Sequence, residues 1–119
     1  MNNKEKELHT ILEIVVACCA MEVDNKGTMS ITKADVLSRN RTENVSMTRC
    51  IFVALVLHEG YSMSTIGQFL KRTVPSIRHL EKMSDNYFKT SRAYRIAMAE
   101  AVVALEDNKN NCDTNTNNN

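Results

Sequence analysis

One proline, Pro75, and three glycines are the only strong helix breakers in this chain of 119 residues. Between them, apolar residues recur at spacings of three and four, with little apolar–polar alternation. That pattern argues for helices joined by short turns, not for a sheet. Hydrophobic residues make up 43 % of the chain, so a single domain over residues 1–107 can bury a core. The expected fold is all-α: a compact bundle of about six helices, containing a helix-turn-helix and ending in a disordered Asn-rich C-terminal tail.

Leu8, Ile11, Leu12, Val15 and Cys18 or Cys19 predict a first helix over residues 3–23, closed by Asp24-Asn25-Lys26-Gly27. Thr32 followed by Asp35 reads as the cap of a short helix, Lys33–Ser38. SRNRTEN, residues 38–44, reads as a polar, basic loop. A third helix is expected from Met47 to Glu59. Its RCIFVALVL is apolar nearly all round, as a central buried helix is, and Gly60 stands as its terminator. Ser62 or Ser64 caps a fourth helix, Thr65–Leu70. A fifth starts near Val74 and either breaks near Asp85-Asn86 or runs on towards Phe88. A sixth covers Ser91–Asp107, with Ala93, Ile96, Ala97, Ala101 and Ala104 along one side. Residues 108–119, NKNNCDTNTNNN, hold too little apolar surface to order themselves.

Pro75 lies in TIGQFLKRTVPSIRHLEK, residues 65–82, inside an otherwise helical pattern. A helix start explains it. Thr73 can accept from an unpaired amide of a first turn, and a proline in that turn loses no helical hydrogen bond. Two helices then meet at Lys71-Arg72-Thr73. Val74, Ile77, Leu80 and Met83 line the inner side of the second; Ser76, His79 and Lys82 lie on the other, with Arg78 on its flank. Gly67, ten residues before Ile77, removes a side chain where two helices approach closely. This small-then-aliphatic spacing resembles that of a helix-turn-helix, with Lys71 where a glycine usually stands.

Charge points the same way locally. The net charge is only +1. Yet residues 1–30 carry three Lys against five acids, a balance of −2, while residues 61–100 carry seven Lys/Arg against three acids, +4. Lys71 and Arg72, beside a helix start, suit backbone phosphate. Ser76 and His79, one turn apart, suit base edges in a major groove.

Other chemistries find little support. Cys18 and Cys19 are adjacent, form no CxxC pair and have no histidine at zinc-ligand spacing, so neither metal nor cofactor is expected. The four cysteines read as thiols in a reducing, cytoplasmic compartment. His9, His58 and His79 fall on different helices, without a nucleophile or paired carboxylate nearby, so an enzyme and a small-molecule substrate are not expected. The start is no signal peptide, and the longest apolar run, around Ile14–Met21, is too short for a membrane span.

Upstream of the turn, ADVLSRNRTENVSMTRCIFVALVL resembles the opening of the DNA-binding domain of the bacterial replication initiator DnaA. That family carries a DLLS segment, a basic KRRTRN loop and a long helix opening with arginines. Here Asp35-Val36-Leu37-Ser38, the stretch Arg39–Asn44 and the helix holding Arg49 occupy those places. SMSTIGQFL resembles the family's SLPEIGDAF with Ile66-Gly67 in register, and ILEIVVACCA resembles its first helix, so the resemblance covers residues 11–83, with an insertion around residues 23–32. It implies a six-helix domain whose helix-turn-helix enters the major groove of double-stranded DNA. It also implies that Arg41 and Arg49 lie at the DNA, Arg72 lies near the turn, and Ser76 stands in place of a base-reading threonine; Arg39 is the other cation of that loop. The DNA-binding set is therefore Arg39, Arg41, Arg49, Lys71, Arg72, Thr73, Ser76, Arg78, His79 and Lys82.

The departures are specific. The family's Asp-His-Thr-Thr is replaced by KRTVPS, Met47 stands for the first helix arginine, and Glu43 replaces a basic loop residue. No GxxxxGK[ST] occurs, so the family's ATPase has no counterpart. A replication accessory factor or transcriptional regulator is the expected role. A helical protein-interaction module that has lost DNA binding is the alternative. Partners expected beside DNA are a second copy or a replication or regulatory protein.

Overall fold

Four helix starts in this chain are set by hydroxyl caps, at Thr32, Ser62, Thr73 and Ser91. In the computed structural model, which describes the backbone of residues 3–22, 31–39 and 42–117 and the side chains of 3–19, 31–39 and 42–110, there are six helices and no strand. They are α1 (Asn3–Glu22), α2 (Lys33–Leu37), α3 (Glu43–His58), α4 (Met63–Leu70), α5 (Val74–Thr90) and α6 (Arg92–Asn117). Thr32 Oγ1 accepts from the Asp35 amide at 3.2 Å while Asp35 Oδ2 accepts from the Thr32 amide at 3.0 Å, a closed capping box. Ser62, not Ser64, caps α4, its Oγ accepting from the Thr65 amide at 3.1 Å. Ser91 both ends α5 and caps α6, accepting from the Tyr94 amide at 3.1 Å. Each such cap is worth about 1 kcal/mol.

Two starts come earlier than the sequence suggests. α3 opens at Glu43 instead of Met47, because Val45 is a core residue and extends the apolar stripe by one turn into the supposed loop. Glu43 in that first turn also suits the positive end of the helix dipole. α4 likewise opens at Met63, two residues before Thr65. The open question in α5 is settled by burial. The helix passes straight through Asp85-Asn86, which face solvent, because Ser84 is buried on the other side and shares a hydrogen bond with the Tyr94 hydroxyl. α6 runs on to Asn117, but its packed part ends at Leu105 and residues 106–110 are exposed. The turn expected at Asp24–Gly27 lies outside the described residues.

α3 is the central helix and packs against all five others. Ile51, Phe52, Val53 and Val56 are fully buried. Leu8, Leu12, Val15 and Cys19 of α1 close one side, and Ile66, Leu70, Ile77 and Leu80 of α4 and α5 close another. Tyr94, Ala97, Ala101 and Leu105 of α6 complete the core, α6 lying mainly on α1. Burial of this apolar surface is the dominant stabilising contribution. It leaves α4, the 71–73 turn and the start of α5 at one edge of the bundle, next to α2.

Candidate nucleic-acid interface

The turn between α4 and α5 is built from backbone hydrogen bonds. The Arg72 amide donates to the Gly67 carbonyl at 2.8 Å and the Lys71 amide to the Gln68 carbonyl at 3.3 Å. These two bonds make a Schellman end, which requires a left-handed residue between them. Lys71 supplies it at φ 56°, ψ 48°. Among the described residues it is the one non-glycine with positive φ. Gly67 is buried, and a Cβ there would stand 2.6 Å from the Arg72 carbonyl oxygen, so the turn closes only over a glycine. Thr73 then caps α5, its Oγ1 accepting from the Ser76 amide at 3.3 Å, with Pro75 in the first turn. The Thr73 hydroxyl donates to Ser76 Oγ at 3.1 Å, which fixes the Ser76 hydroxyl while leaving its own proton to donate.

The side chains follow from that backbone. Pro75, Arg78, His79 and Lys82 are exposed along the outer side of α5, with Lys89 two turns further on. Between α5, the turn and the end of α2 runs an open cleft of ≈ 750 Å³. Arg39, Lys71, Arg72, Thr73 and Ser76 line it. So do Ser64 and Gln68 of α4, which the sequence reading did not single out. Gln68 could have been found there: it sits three residues before Lys71, one turn away on the same side of the helix end. Arg39, Lys71 and Arg72 meet in this cleft, and among the described residues no carboxylate lines it.

Arg49 is a correction. The resemblance puts it at the DNA, but its side chain is only 2 % exposed. Its Nε donates to the Val36 carbonyl at 3.0 Å, and its Nη2 to the Asp35 and Ser38 carbonyls at 3.3 and 3.1 Å. These carbonyls close the C-terminal end of α2, where a helix leaves acceptors open and its dipole is negative. A buried guanidinium needs such acceptors, and the end of α2 offers three in one fork. Arg49 is thus a clamp between α2 and α3. The Ser38 carbonyl also accepts from Arg72 Nη2 at 3.0 Å, so the end of α2 and the α4–α5 turn are tied through one atom. Of the ten expected residues, eight lie on this edge, Arg49 is internal, and Arg41 lies outside the described residues.

Elsewhere the chemistry is quiet. Cys19 and Cys50 are free thiols, and burial pushes both up to about 12, which holds them as protonated core groups. The histidines stand on α1, α3 and α5, and among the described residues no group of three or more His, Cys, Asp or Glu gathers as a metal site would require. Within the same residues no helix is long and apolar enough to cross a membrane. No family model matches the chain, and neither a curated protein nor a solved structure matches it.

Proposed function

We propose that this chain binds double-stranded DNA sequence-specifically through a helix-turn-helix made by α4 and α5, and that it is a binding protein and not an enzyme. The observation that carries the reading is Lys71, held left-handed at the turn and joined by Arg39 and Arg72 around a cleft that no carboxylate of the described residues lines. In this reading the start of α5 brings the positive end of its dipole to a phosphate, and the three cations neutralise the strand beside it. Ser76, Arg78, His79 and Lys82 then face the base edges and flanking backbone from α5. Arg49 acts indirectly, by holding the end of α2 and its Arg39 against the turn. The likeness of residues 11–83 to the DnaA DNA-binding domain supports a cytoplasmic role as a replication accessory factor or transcriptional regulator.

Selection of duplexes from a random pool tests the proposal. Enrichment of a common site, bound more weakly as salt rises, is the expected result. An unenriched pool with no complex at low salt would overturn it. A second reading, a protein-interaction module on the same fold, draws on the inward turn of Arg49 and the near-neutral net charge of +1. A native complex that survives nuclease treatment would favour it.

A further inference from the structure

The outer side of α6 carries a pattern that DNA binding leaves unused. Its inner side is taken by Tyr94, Ala97, Ala101 and Leu105, packed on α1, α5 and α3. Opposite them, again at spacings of three and four, stand Arg92, Ile96, Ala99, Val103 and Glu106, with Asp107 beside the last. Val103 is 60 % exposed, the highest value among the exposed large hydrophobics described. The stripe therefore has a cation at its N-terminal end, small and aliphatic side chains in the middle and two carboxylates at its far end.

Such a stripe is complementary to itself when inverted. We propose that a second copy of this chain docks here, α6 against α6, antiparallel about a two-fold axis at Ala99. Ile96 then meets Val103 of the other copy, and the reverse pair repeats the contact across the axis, as an isologous interface requires. Arg92 meets Asp107 and Glu106 at both ends. Glu106 also lies 3.8 Å from Lys109 of its own helix, so Asp107 is the more available of the two. Ala99 at the crossing removes bulk where the two helices come closest. A parallel pairing would set Arg92 against Arg92 and acid against acid, so the charges select the antiparallel arrangement. One helix-on-helix contact falls at the small end of interface sizes, below ~1,200 Å², so the dimer is reversible.

Sedimentation velocity of the full chain without DNA, from micromolar to about 0.5 mM, tests this independently of the DNA-binding reading. A reversible monomer–dimer equilibrium is expected. Val103→Asp, at an exposed position, weakens it at least about tenfold while leaving helicity and melting unchanged. Arg92→Glu weakens it as well, and adding Glu106→Arg and Asp107→Arg to that variant restores it. A monomer throughout the range would overturn the proposal, as would a dimer indifferent to Val103→Asp or a charge exchange that fails to restore association.

Discussion

The ends of α3 and α4 are the same structure made from different residues. At the end of α3, the Gly60 amide donates to the Leu57 carbonyl and the Tyr61 amide to the Val56 carbonyl, both at 3.1 Å. At the end of α4, Lys71 and Arg72 make the same pair of bonds to Gln68 and Gly67. Gly60 takes its φ of 99° without a side chain to strain. Lys71 takes its φ of 56° against the ordinary cost of a Cβ in that region, about 1 kcal/mol. The α3 end follows the usual economy of a helix terminus. The α4 end accepts strain, and what it gains is a cation at the bend. Retained strain of this kind concentrates where a turn has work besides stopping a helix.

Three substitutions press on that comparison. Gly67→Ala has the largest expected effect. Its Cβ would meet the Arg72 carbonyl oxygen at 2.6 Å, a backbone atom that moves only if the turn opens. A loss of about 2 kcal/mol is expected from urea unfolding, as for overpacking in a closed site. Gly60→Ala has nothing within 4 Å to strike, so its cost is backbone alone, about 1 kcal/mol. Lys71→Gly, the smallest change, reverses the sign. Relief of left-handed strain outweighs the added flexibility of the unfolded chain, leaving a gain of about 0.5 kcal/mol. If the two ends are equivalent in backbone and different in purpose, Gly60→Ala lowers the urea midpoint and Lys71→Gly raises it. A lowered midpoint for Lys71→Gly would mean that the lysine side chain stabilises the fold, and the comparison would fail.

The α4–α5 edge was legible in the sequence because its determinants are local. Gly67, Thr73 and Pro75 each act on backbone within a few residues, and a cap or a close approach shows in spacing alone. The same holds for Gly60 after α3. Arg49 was not legible. Whether an arginine near a helix start faces solvent or core depends on what lies across from it, and here that is the end of α2, 11 to 14 residues earlier in the chain. The open carbonyls of α2 satisfy the guanidinium inside the fold. The start of α3 is hidden in the sequence for a related reason. Glu43 and Asn44 read as loop, while Val45 behind them, 1 % exposed, shows that the core reaches that far. The passage of α5 through Asp85-Asn86 was undecidable from sequence, because Ser84 looks like one more polar residue until Tyr94 is placed beside it.

In the proposed reading, the edge around the 71–73 turn meets a nucleic-acid backbone. The salt dependence of duplex binding tests it most directly, comparing the native chain with the triple variant Arg39→Ala, Lys71→Gly, Arg78→Ala. Each lost phosphate contact lowers the slope of log K against log salt by about 0.9, so a reduction of roughly 2 to 3 is predicted, with helicity unchanged. An unchanged slope, or a native chain that forms no complex even at low salt, would contradict the account.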